Sequence, residues 1–215
     1  GPVCAVIRCA GWYRAEDGGR ICRHVTRFVA HAGLPWIRVL HTVIFCADSR
    51  ETSIADVGWP IAIRGASGQV RFGGDPRPIP LTLESGDTAS LLQHEQDAFT
   101  LRRFRTDMGG RPDPVASGMR AGGWAEAAGS KAAVAIGLRD FAASYPHELT
   151  AGRNGVALHF WPRNGIDAPL KLPTEDDLSE LWFLHHRRNL DFQVPKWFSD
   201  FQAPGPFVNP EHETP

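Results

Sequence analysis

Charge of one sign is missing from this sequence. Its 23 Lys and Arg stand against 24 Asp and Glu over 215 residues, so the positive field that draws a protein to nucleic acid is absent. Nucleic acid is not an expected partner. Long apolar runs are missing too. Nothing approaches the roughly 20 residues that span a bilayer, and no charged start with an apolar core and cleavage site marks a signal peptide. No membrane partner is expected, and a secreted and a cytoplasmic parent protein both stay open.

Metal motifs are equally scarce. None of the 9 histidines falls in H-x-H or H-E-x-x-H. His185 and His186 would stand about 100° apart around a helix and so do not converge on one ion. Cys4, Cys9, Cys22 and Cys46 make neither a C-x-x-C clip nor a dense disulfide scaffold. With Cys4 and Cys9 on opposite faces of one strand, the expectation is free cysteines packed as small apolar residues. No cofactor is expected; Ca²⁺ stays open, although nothing in the sequence indicates it. The absence of G-x-S-x-G, of a phosphate-cradling glycine loop and of thiol-enzyme signatures weighs against hydrolase and nucleotide readings.

What is present alternates with the period of two that strands impose. Val3, Ala5, Ile7 and Cys9 share one face. Ile21 to Ala32 makes a second run. Trp36 to Cys46 makes a third, apolar on both faces and therefore expected to be central. Glu16 to Gly19 and Ala32 to Pro35 mark tight turns between antiparallel neighbours. Ser53 to Arg64 is a fourth run, and Gly58 and Pro60 inside it predict a bulge or an edge position. Gly65 to Gly86, rich in Gly and Pro, reads as a long hairpin or irregular excursion. Leu91 to His94 and Phe99 to Phe104 read as short strands, and Gly109 to Pro114 as a surface loop. Thr174, followed by Glu175, Asp176 and Asp177 and then by Leu178, Leu181, Trp182 and His185, predicts one short helix with a capped acidic start. Its basic end, His185 to Arg188, suits the negative pole of the dipole as well as it suits a ligand.

The fold class is therefore all-β: a large antiparallel β-sandwich, supersandwich-like, with one or two short helices. A single domain is expected over residues 1–202, with the Pro-rich 203–215 as a linker. Gly1 in place of Met, at the head of a strand-like run, predicts a segment of a longer polypeptide.

The chemistry concentrates between Ala132 and Pro162. This stretch reads as a strand, a polar corner with Arg139, Asp140, Tyr145, His147 and Glu148, and a second strand that delivers His159 and Trp161. Arg holds a carboxylate in two parallel charge-assisted bonds, and Tyr or His can exchange a proton. Together with an aromatic platform, that set suits an acidic sugar. Each residue also has a plainer use. Arg139 and Asp140 could pair across the corner, Tyr145 could anchor the turn before Pro146, and His159 could be a satisfied sheet residue. Asp140 and Glu148 are the one carboxylate pair near the corner that a glycoside hydrolase could use.

The runs GPVCAVIRCAGWYR, RFVAHAGLPWIRVLHTVIFCADSRETSIADVGWPI, GWAEA, VAIGLRDFAASYPHEL, VALHFWPRNG and LWFLHHRRNLDFQVPKWF together resemble the YetA-like exo-rhamnogalacturonan lyases, polysaccharide lyase family 26. R-D-F followed by Y-P-x-E-L (Arg139 to Leu149) and L-H-x-W-P (Leu158 to Pro162) are the most specific parts. The resemblance is to the central β-sandwich. It implies flanking partners in the same parent chain, an N-terminal barrel and a C-terminal α/α toroid. It also implies β-elimination on an acidic polysaccharide of alternating rhamnose and galacturonic acid. In that reading Arg139, Tyr145 and His159 are the catalytic candidates. Asp140, His147, Trp161, His185 and Arg187 are candidates for substrate binding. The alternative is a non-catalytic carbohydrate-binding or scaffolding sandwich.

Overall fold

The computed structural model describes residues 3–46, 53–109, 111–129, 132–163, 170–171 and 198–200. Contacts divide the chain into two compact units, Gly1–Ser53 with Lys171–Pro215, and Ile54–Leu170. Both are built from antiparallel strands.

In the first unit, β1 (Cys4–Arg14), β2 (Arg20–His31) and β3 (Ile37–Phe45) form a meander, and β16 (Phe198–Asp200) pairs with the far side of β3. The turn after β1 closes where expected. Gly18 takes φ 87°, and its N–H donates to the Ala15 carbonyl at 2.9 Å. Gly33 plays the same part after β2 with φ 78°. Cross-strand pairing puts Cys9, Thr26 and His41 in one row. His41 is buried there, with Nε2 hydrogen-bonded to the Tyr13 hydroxyl at 2.9 Å and Nδ1 to Thr26 Oγ1 at 2.8 Å. Four free cysteines are present, but only Cys22 is buried; Cys4, Cys9 and Cys46 are exposed. The expectation of four packed thiols therefore fails for three of them. Cys4 and Cys9 lie on β1, the outermost of the described strands in its sheet, whose residues are exposed except for the half-buried Gly11.

The second unit is a sandwich of two sheets. One has the order β10 (Pro112–Gly118), β9 (Ala98–Phe104), β8 (Thr88–Glu95), β13 (His147–Gly152), β14 (Gly155–Trp161), β5 (Val57–Ala62). The other has the order β12 (Ala133–Gly137), β11 (Trp124–Gly129), β6 (Ala66–Phe72), β7 (Ile79–Thr82). The two-residue strands β4 (Ser53–Ile54) and β15 (Leu170–Lys171) pair with each other. Strands β6, β11 and β12 pack on β13 and β14.

The side-chain period of two decides which residues make the core. Leu101, Leu91, Leu149 and Leu158 are successive cross-strand partners over four strands, and each is 0% exposed. Facing sheet residues Phe72, Val70, Ala125, Ala127 and Ile136 are likewise buried. Each such leucine contributes about 1.5–3 kcal/mol by leaving water. The next row in the large sheet points the other way. It runs Thr100, Leu92, Glu148, His159, Gly58, and Leu92 and Glu148 within it are buried as well.

Gly58 and Pro60 do fall on β5, an outermost strand of this sheet among the described residues, with a register irregularity opposite it between His159 and Trp161. Gly109 to Pro114 is not wholly a loop, because Pro112 already begins β10 and pairs with Phe104. The outermost position explains this: a strand with one unpaired side has a place for residues that lack an N–H. The helix expected from Thr174 to Arg188 lies outside the described residues. Among those described, the helical element is a single 3-10 turn, Thr106–Met108.

Candidate functional site

The polar corner connects β12 of the small sheet to β13 of the large one. Asp140 turns the chain with φ 55°, a left-handed conformation that Asp tolerates better than most residues. Its carbonyl then accepts two bonds from Ser144, from the backbone N–H at 2.9 Å and from the hydroxyl at 2.8 Å. Ser144 in turn bonds Nε2 of His147 at 2.9 Å, while Nδ1–H of the same ring donates to the Phe160 carbonyl at 3.1 Å. His147 is 4% exposed, and its ring is framed by Phe141 and Phe160. It thus braces the corner against the end of β14, with both ring nitrogens taken up inside the protein.

Arg139 and Asp140 are exposed, and no pairing between them is formed. Arg139 makes no hydrogen bond or ion pair with another described residue. Tyr145 is 42% exposed and leads through a cis peptide bond into Pro146 and β13. The corner therefore presents a guanidinium and a phenol to solvent while His147 holds it from beneath.

Glu148, the next residue, is on the opposite face of β13 and is fully buried. The Ser90 hydroxyl of β8 donates to its Oε1. Across the strand pair from Glu148 stands His159. Its Nδ1 lies 2.9 Å from Oδ1 of Asp56, with the two side chains 22% and 35% exposed. Trp161 is half-buried at the end of β14, beyond the irregularity. His185 and Arg187 lie outside the described residues.

The structure thus brings Tyr145, His147, Glu148, His159 and Trp161 to the same end of the β13 and β14 pair. Asp56, Gly58 and Ser90 join that set, and sequence reading had missed all three. Asp56 is 103 residues from His159, and no local pattern signals such a pairing. Among the described residues, no group of three or more His, Cys, Asp or Glu is placed to hold a metal ion.

No curated protein matches the chain. The stretch that holds β8 to β13, the corner included, does match a known family. Residues 85–158 fit the family model described as PcRGLX-like protein central beta sandwich domain.

Proposed function

We propose that this sandwich takes part in β-elimination on a rhamnogalacturonan-type acidic glycan. The observation that carries this reading is the pairing, on one corner, of the exposed Arg139, which has no ion-pair partner among the described residues, with the half-exposed phenol of Tyr145. Elimination next to a uronate makes three demands. The carboxylate must be neutralised so that C5–H becomes acidic, the C5 proton must be removed, and the departing O4 must receive one. Arg139 answers the first, since its planar fork matches a carboxylate with two parallel bonds. Nε2 of His159 takes the C5 proton. The electron pair left behind becomes the C4–C5 double bond as the C4–O4 bond breaks, and the Tyr145 hydroxyl gives its proton to O4. No water is consumed. Trp161 offers a ring face to the sugar, and Asp140 a carboxylate to sugar hydroxyls. His147 acts on the substrate through the corner it braces.

The test is ultraviolet detection of unsaturated uronate when the chain is mixed with rhamnogalacturonan oligosaccharides. Product from wild type, lost in Arg139→Ala, Tyr145→Phe or His159→Ala, supports the lyase. Saturable binding without product moves the reading to a glycan-binding module. Reducing ends without unsaturation would instead indicate hydrolysis and remove the elimination chemistry.

A further inference from the structure

His159 stands in the outward row of β14, and its cross-strand neighbour on β5 is Gly58. A Cβ at position 58 would fall 2.9 Å from Nδ1 and 3.1 Å from Cε1 of the histidine ring, and 3.3 Å from Oδ1 of Asp56. The ring therefore lies across bare backbone. Gly58 does not have a positive φ, so the glycine is there for space and not for an unusual backbone angle.

The Asp56 carboxylate uses both oxygens. Oδ1 accepts from Nδ1–H of His159 at 2.9 Å, and Oδ2 accepts from the backbone N–H of Arg163 at 3.4 Å, just past the end of β14. An ionised carboxylate can only accept, so this contact keeps a proton on Nδ1. In a neutral ring the other nitrogen then carries the lone pair. Nε2 has no partner among the described residues, and the side chain is 22% exposed. His41 and His147 differ, because each has both ring nitrogens engaged.

We propose that Asp56 is the positioning residue of His159: it fixes the Nδ1–H tautomer and presents Nε2 as a proton acceptor, in a space that Gly58 keeps open. As a role in catalysis this rests on the reading of His159 as the base. When Nε2 takes a proton, the positive charge forms beside a carboxylate already in hydrogen-bond contact. Asp56 would touch no reacting atom and act only through the ring.

The tautomer can be read without turnover. In long-range ¹H–¹⁵N spectra of the labelled chain, the neutral ring of His159 should show a protonated Nδ1 and a bare Nε2. Asp56→Asn should lose that signature, because a carboxamide no longer demands a proton on Nδ1. Gly58→Ala should lose it too, by pushing the ring aside. In both variants the His147 signals should stay in place, which reports an intact sandwich. Turnover of unsaturated product, if present in wild type, should fall in Asp56→Asn by up to the general-base contribution of about 10²–10⁴-fold. An Nε2–H tautomer in wild type, or an unchanged His159 signature in Asp56→Asn, overturns the proposal. The expected signatures in a chain that yields no unsaturated product would uphold the positioned histidine and reject the lyase reading alone.

Discussion

Lowering the pH should destabilise the β1 to β3 sheet through His41. The ring is 4% exposed and satisfied as a neutral group by Tyr13 and Thr26. Burial, and then the neighbouring His24 at a ring separation of 5.8 Å, bring its pKa down from 6.5 to about 4. The unfolded chain takes up a proton as pH falls through about 6.5, while the folded chain takes one up only near 4. Unfolding therefore binds a proton in between. The stability this group contributes is whole above the unfolded pKa, declines as pH falls, and is gone below the folded one. At about 1.36 kcal/mol for each pH unit separating the two values, the ceiling is about 3.4 kcal/mol, of which about 2.5 kcal/mol is lost by pH 4.5. That is a large part of a typical net stability of about 5–15 kcal/mol. The assay is urea denaturation at pH 7.5 and 4.5 for wild type and His41→Gln, whose uncharged amide can still bond both neighbours. Wild type should lose about 2.5 kcal/mol more than the variant between the two pH values. Equal losses would refute the assignment of this proton to His41.

Burial, with a smaller push from Cys46, raises the Cys22 thiol to about 11, so it holds little thiolate at pH 8. A chromogenic disulfide reagent should titrate Cys4, Cys9 and Cys46 quickly in the native chain and Cys22 only on denaturation; four thiols reacting at one rate would contradict this. Gly155 adopts φ 131°, and a Cβ there would meet the Ile61 carbonyl oxygen at 2.0 Å. Gly155→Ala should therefore cost at least about 1–3 kcal/mol in denaturant melts. Gly137→Ala, whose Cβ meets nothing closer than 3.5 Å, should change stability far less; equal costs would show that the β14 contact is not the cause.

The strands were legible because their chemistry is local. Alternation from Val3 to Cys9 and from Ile37 to Phe45, with Gly18 and Gly33 at turns that demand positive φ, gave the meander of β1 to β3 nearly to its ends. Pro60 likewise pointed to an edge strand, since a missing N–H has consequences that a neighbour-free side removes. Pro112 and Pro114 misled for the same reason. A residue that discourages pairing on one side looks like a loop residue until the sheet order shows which side is open. The buried position of Cys22 and the exposure of Cys4 and Cys9 were illegible, because all three alternate correctly and only the covering of a sheet face separates them.

The site was legible in its parts and not in its logic. The corner from Arg139 to Glu148 stood out as a dense run of polar types, and the fold does gather Tyr145, His147, His159 and Trp161 at one end of two adjacent strands. Yet the two histidines, chosen together, end on opposite faces. His147 is on the inward face with its leucine neighbours and is consumed in holding Ser144 and Phe160, whereas His159 shares the outward row with Glu148 and Gly58. One residue of register separates a brace from a group that can meet solvent. What turns His159 from an exposed imidazole into an oriented one is Asp56, and that carboxylate arrives from 103 residues away through the pairing of β5 with β14. The strand that its Gly and Pro made look weak is thus the element that completes the site. Gly58 has no side chain because the histidine occupies that volume, and Asp56 is close because the strand is paired there.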